Sequence, residues 1–401
     1  MRVRLTFPRP PRVRSERGAI AVLTFALTFV MMLTSAFAVD LGMAYTSKRQ
    51  LQTAADSAVL AAAAVYAQYP GTCADLVANA TYRALAQAAA DSYRIENRSG
   101  SAGTPIAPAC NSQGELEIGY AATGSTATVF ANLVGIDSIA TGRSAKALVD
   151  VPTSIDYGIR PYALCSADIP TGATPPTVLE VKPPGQAHGG SSCASAQSPG
   201  NWWFNVCDIQ GGGTSQGSPA DMASAITNGC TNKVRIVTPQ DKTTPTSLSA
   251  SLTATCTSGF AYSSTCLQGD TGNSSLSNNT AYSAWDTVLG KTIYLPVFCS
   301  DPICAPDTVN GNGSNVYYPV YSIAAVVVCG YHIYDKNNQV SNTGDCAGNT
   351  WTKTVIESRD KKDIYLYLKF VRILTSQDQT TSDCALGTSC DGGLRRVRLS
   401  S

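Results

Sequence analysis

Residues 19–39 read AIAVLTFALTFVMMLTSAFAV, with no charge and no proline. As a helix at 1.5 Å rise per residue, this stretch is roughly 31 Å long, the thickness of a bilayer's hydrocarbon core. Arg2, Arg4, Arg9, Arg12, Arg14 and Arg17 precede it against Glu16 alone, and Lys48 and Arg49 lie beyond it. Arginine in excess on one flank holds that flank in the cytoplasm. Residues 1–18 are therefore expected as a cytoplasmic Arg-rich tail, and everything from about Asp40 onward as extracytoplasmic. A cleaved secretory signal is the rival reading, because Ala36-Phe37-Ala38 satisfies the small-x-small cleavage rule. Against it, the apolar run is longer than a signal core of about 7–15 residues. No turn residue separates the run from the segment after it.

A second helical pattern continues from Asp40 to about Gln68. Ala54, Ala55, Ala58, Ala61, Ala62 and Val65 recur along one face, and Pro70-Gly71 ends the pattern. Small residues on a helical face permit close helix–helix approach, so this face is expected to pack against a partner helix. The plainer explanation, that alanine is the best helix former, stands beside it.

Arg17-Gly18-Ala19-Ile20-Ala21-Val22 opens the span, and Ala38-Val39-Asp40-Leu41-Gly42 closes it. Leu51-Gln52-Thr53-Ala54-Ala55-Asp56-Ser57-Ala58 then runs into Leu60-Ala61-Ala62-Ala63. Residues 17–65 thereby resemble the N-terminal module of TadG-like proteins of the Flp (Tad, tight-adherence) pilus-assembly system. The resemblance implies a pilin-like helix that anchors an extracytoplasmic head. Gly18, Ala19, Asp40, Ala54, Ala55, Asp56, Ala58 and Ala62 would be its membrane and assembly positions. Implied partners are the lipid bilayer, the pilus-assembly machinery or pilin subunits, and a second copy of the chain. Pilins processed by prepilin peptidase carry Glu five residues after the cleavage-site Gly. That position is Leu23 here, so an unprocessed, permanently anchored form is implied.

The 14 cysteines all lie beyond the apolar segment, and none forms a CxxC pair. This usage points to disulfides in an oxidising compartment. Cys299–Cys304 and Cys384–Cys390 are short-loop candidates, and Cys73 and Cys110 bracket a predicted helix. Charged residues are 14% of the chain, below the typical figure of about 25%. The net charge of +1 leaves no electrostatic case for nucleic acid.

Residues 73–97 read as helix, ended by Ser99-Gly100 and followed by a Gly/Pro loop. β-like runs come next at Glu115–Ala121, Thr126–Leu133 and Ile139–Val149. Beyond a linker at 152–162 the composition is loop-rich, with strands at Lys233–Val237, Lys291–Phe298, Val316–Tyr334 and Asp363–Leu374 and a helix at Ala220–Thr227. The expected fold class is α+β: a long N-terminal transmembrane pilin-like helix, then an extracytoplasmic, β-rich, disulfide-linked region. Its divisions are the tail 1–18, the anchor helix 19–69, a small α+β head 70–150, a β-rich domain 151–377 and a loose tail 378–401.

Signals for chemistry are thin. Gly213-Thr214-Ser215-Gln216-Gly217 fits G-x-S-x-G, but three consecutive glycines oppose the strained turn a nucleophile elbow needs. His188 and His332 are the two histidines, one in a Pro/Gly-rich stretch and one on a predicted strand. Asp221-Met222-Ala223-Ser224 does not fit the Asp-x-Ser-x-Ser of a von Willebrand A-like site. The Asp residues of Cys299–Asp307 lack calcium-loop spacing. Trp202-Trp203-Phe204 reads as strand core or as an exposed aromatic surface. No catalytic residue, metal or cofactor is assigned. The reading is a non-catalytic structural or assembly component of a Flp/Tad-type pilus; the alternative is a helix-anchored cell-surface adhesin or binding module.

Overall fold

The computed structural model describes residues 17–152, 154–155, 157–162, 164–165, 169–172, 177–181, 203–204, 219–230, 234–235, 266–270, 279–298, 316–320, 322–334, 337–361, 364–375, 384–388 and 390–400. Helix α1 (Arg17–Ala67) runs unbroken for 51 residues, about 76 Å of helix. It is long and apolar enough to cross a membrane. Over its first half the apolar side chains, Leu23, Phe25, Phe29 and Met32 among them, are exposed. The threonine hydroxyls in this half are satisfied within the helix. Thr24 donates to the Ile20 carbonyl at 2.7 Å, Thr28 to that of Thr24 at 2.8 Å and Thr34 to that of Met31 at 3.0 Å. Such back-bonding lets a hydroxyl sit in an apolar medium without an outside partner.

From Asp40 onward one stripe of α1 becomes buried: Asp40, Ala44, Ser47, Leu51, Ala54, Ala55, Ala58, Val59, Ala62 and Tyr66. This is the three-and-four spacing of a helix face set on a core. The cover for the stripe comes from the same chain. Helix α2 (Cys73–Ala78) starts on a Thr72–Asp75 capping box, and α3 (Ala80–Asn97) starts on Asn79, whose side chain accepts from the amides of Thr81 and Tyr82. The single helix expected over 73–97 is thus two, because Asn79 ends one and caps the other.

Strands β1 (Ala102–Cys110), β2 (Leu116–Ala127) and β3 (Ser138–Asp150) form an antiparallel meander. Leu116, Ile118, Tyr120 and Ala122 of β2 and Ala145, Ala147 and Val149 of β3 face α1 and α3 in one core. Burial and the Asp91 carboxylate that accepts its proton push the Tyr120 phenol up to about 12, against the pull of Arg94, whose Nε donates to the phenol oxygen at 2.9 Å. β1 occupies the stretch expected as a loop. Pro105 and Pro108 are tolerated because β1 is an edge strand with a bulge between Ile106 and Ala109.

The expectation of a partner helix for the alanine face is corrected here. Ala54, Ala55, Ala58 and Ala62 are buried within the molecule, where α1 meets α3 and the sheet. Asp56 lies at the border of this face and accepts from the Gln52 side chain at 2.8 Å.

The distal part carries the short pair β4 (Ser154–Ile155) and β8 (Val234–Arg235). It also holds a small sheet of β7 (Trp203–Phe204), β9 (Cys266–Asp270) and β11 (Val316–Pro319). Its main sheet has the order β5 (Leu164–Cys165), β10 (Thr292–Phe298), β12 (Ser322–Ile333), β14 (Ile364–Phe370), β6 (Val178–Val181), with β13 (Asn337–Val340) also on β12. The run expected as one strand, Val316–Tyr334, is two strands in different sheets. All of β12 is buried, which explains why its sequence is continuously apolar rather than alternating. Helix α4 (Pro219–Asn228) and Trp285 cover one of its faces.

The last strands return to the head. β15 (Ile373–Leu374) pairs parallel with β16 (Leu394–Ser400), and β16 pairs antiparallel with β3. The head sheet therefore has the order β1-β2-β3-β16-β15. Residues 394–400 are part of its structure and not a loose tail. Asp150, at the end of β3, fixes this return: it receives Arg396 through two hydrogen bonds of 2.8 and 2.6 Å and Arg398 at 2.8 Å. Just before β16, a Cβ on Gly392 would collide with the Ile323 carbonyl, and Gly393, at φ +94°, lies against that of Val371. Glycine is required there because the connection threads between the head and β12.

Three disulfides hold described elements together. Cys73–Cys110 ties α2 to the end of β1, Cys384–Cys390 closes the loop before β16, and Cys329–Cys346 ties β12 to a distal turn. Cys230 is also disulfide-bonded. Cys299 and Cys304 lie outside the described residues.

Denaturation of the detergent-solubilised chain should register each of these devices. Ala58→Leu should destabilise the head by about 1–3 kcal/mol, since overpacking rather than helix propensity is at stake. Asp150→Ala should cost about 3–5 kcal/mol by leaving the buried Arg396 guanidinium without its carboxylate. Reduction should lower the melting temperature, the Cys73–Cys110 bridge, at a sequence separation of 37, alone contributing about 2–4 kcal/mol.

Candidate membrane and assembly interface

The junction of anchor and head is built on Asp40. It is the first charged residue after the apolar run and is only 2% exposed. Its carboxylate accepts the backbone N–H of Val129 at 2.8 Å, of Phe130 at 3.1 Å and of Ala131 at 2.6 Å. These amides open the 3-10 turn Ala131–Val134 at the tip between β2 and β3. A turn's first N–H groups have no partner within it, and a carboxylate aimed at them is the strong, charge-assisted solution. Asp40 and Val129 are 89 residues apart in the chain, yet one side chain joins them.

The rest of the tip closes on itself. The Thr128 amide donates to the Asp137 carbonyl, Leu133 to Phe130, Gly135 to Asn132 and Ile136 to Ala131, at 3.0–3.1 Å. Higher up, Arg98 at the end of α3 donates to the Ser47 carbonyl at 2.6 Å. The Ser47 and Thr141 hydroxyls lie 3.4 Å apart. The neck of α1 is thus gripped from Asp40 upward by both the hairpin and α3.

The run Thr126–Leu133, expected as a strand, is corrected accordingly. β2 ends at Ala127, and the apolar residues beyond it form the tip. Val129, Phe130, Leu133 and Ile136 are exposed there. Sequence reading missed them as surface residues because an apolar run looks the same whether it enters a core or another apolar medium. Gly135, at φ +86°, marks the turn.

Gly18 and Ala19 sit in the first turn of α1. His332 is buried on β12 with Nε2 2.9 Å from the Asp360 carbonyl oxygen. Asp221 and Ser224 lie on α4, and Trp203–Phe204 form β7. His188, Trp202, Asp301 and Gly213–Gly217 lie outside the described residues. Among the described residues, no three His, Cys, Asp or Glu side chains converge as a metal site would require.

Asp40→Ala should release the tip. Hydrogen–deuterium exchange at the amides of residues 129–131 should accelerate, while that of β3 stays unchanged. Equal protection in the variant would show that the carboxylate does not hold the turn.

No curated protein and no solved structure matches the chain. Residues 18–65, from the first turn of α1 through the Asp40 junction to the end of the buried alanine face, match the family described as "Flp pilus-assembly TadE/G-like".

Proposed function

We propose that the chain is a membrane-anchored, non-catalytic component of Flp pilus assembly. Its α1 crosses the membrane once, with the arginines on the cytoplasmic side and the head outside. One observation carries this reading: the segment that matches the pilus-assembly family is a single uninterrupted helix with two environments. Its first half offers a mainly apolar surface to the surroundings, and its second half is packed into its own head. Such a helix is an anchor and a stalk in one piece. The disulfides suit an oxidising, extracytoplasmic location for the head.

Because the alanine face is already filled, contact with pilins or the assembly machinery falls to the exposed surfaces of the head and to the lipid-length half of α1. The lower half carries the small residues Ala21, Ala26 and Ala38 among bulky exposed ones, and lateral association there is open to helices of pilin subunits or of a second copy.

Deletion of the chain should abolish surface pili, and the intact chain should restore them. Retained pili with lost attachment would instead support the adhesin reading. A reporter fused after Ser401 should be active only in the exported compartment; cytoplasmic activity would overturn the orientation.

A further inference from the structure

We propose that the β2–β3 tip, Val129 to Ile136, is a second membrane contact that dips its apolar side chains into the leaflet from which α1 emerges. The proposal rests on the reading of α1 as a membrane span.

The first observation is exposure. Leu133 is 84% exposed, Val129 59%, Ile136 48% and Phe130 41%. Four large apolar side chains within eight residues, with no charge among residues 128–136, form a surface that a water-facing loop does not ordinarily present.

The second is depth. Phe130 does not sit above the membrane segment but beside it, lining a groove with Met32, Ser35, Ala36 and Val39 of α1. Ala36 lies four residues before Asp40, about 6 Å further along the helix axis into the span. If residues 19–39 cross the hydrocarbon, Phe130 lies within the same layer. The tip is thereby continuous with the lipid-facing surface of the anchor.

The third is the backbone. A loop can enter an apolar medium only when its polar main-chain groups have partners. The amides of residues 128–131, 133, 135 and 136 are all bonded, three of them by the Asp40 carboxylate. These amides are used internally. Asp40 thus has a second consequence: it satisfies the amides that would otherwise keep the tip in water.

Just above this level, Tyr45 is exposed on α1 with the Arg49 guanidinium 4.8 Å from its ring centre. Tyrosine with a neighbouring cation suits the headgroup region, which places the tip immediately below it.

The test uses the full chain reconstituted in phosphatidylcholine vesicles, with a photoreactive benzoylphenylalanine at one position at a time. Phe29→benzoylphenylalanine reports the span, Leu133→benzoylphenylalanine the tip, and Ile95→benzoylphenylalanine an exposed apolar site on α3. After irradiation, mass spectrometry should find lipid adducts at 29 and 133 several-fold above those at 95. Adducts at 29 with position 133 at the level of 95 would overturn the membrane contact while leaving the anchor intact. Crosslinks from 133 to a second copy of the chain would assign the tip to a protein interface instead. Absence of lipid adducts at 29 would overturn the span and this proposal together. A further variant, Leu133→Asp, should lower the lipid adducts of benzoylphenylalanine at Ile136 several-fold while Cys73–Cys110 still forms. Unchanged adducts at 136 would also count against insertion.

Discussion

An α-helix satisfies its own backbone hydrogen bonds, so it is one of the few structures that can pass from lipid into water without a break. The head is arranged around that property of α1. At Asp40 the main chain does not change; only the side chains do. Below it, threonine hydroxyls turn back onto the helix and large apolar groups face outward. Above it, alanines let α3 and the sheet come close along a buried stripe. Without a hinge in α1, the head's position relative to the exposed apolar half is set by the helix itself.

Two acidic residues secure junctions between distant segments, and a third fixes the loop before β16. Asp40 joins the anchor to the hairpin tip through backbone amides. Asp150 joins β3 to β16 through two arginines. Asp391 pairs with the buried Arg395 at 2.6 Å and accepts the amides of Gly387 and Gly393, where head and distal sheet meet. Burial holds Arg395 below the usual arginine range despite that carboxylate. Buried ion pairs add little net stability compared with apolar packing, but they punish the wrong register heavily. The placement of Asp150 where β3 and β16 converge suits that role.

The return of β16 makes the head discontinuous in sequence. The whole distal β-rich part is inserted between β3 and β15, and both of its ends are held in or beside the head sheet. Cys384–Cys390 lies at the second of these ends, with Leu386 in the head core. Whatever the distal part presents is therefore carried on two connections, which restrains its orientation more than a single linker would.

The apolar half of α1 was legible from residues 19–39 because length and apolarity are local properties of the chain, and the helix above it because alanine periodicity and Pro70-Gly71 are local signals. The strands β2, β3, β10 and β14 were likewise readable from alternation and β-branched composition. The segments that cover the alanines were not, since a small-residue face states that something approaches closely and not which segment does. The same holds for β16: the pattern of Leu394, Val397 and Leu399 with Arg396 and Arg398 becomes a strand only once Asp150 and Glu115 are beside it. Residues 128–136 show the limit most clearly. Their apolar character is local, but whether it belongs in a core or against lipid depends on Asp40, 89 residues before Val129 in the chain, and only the tertiary structure brings the two together.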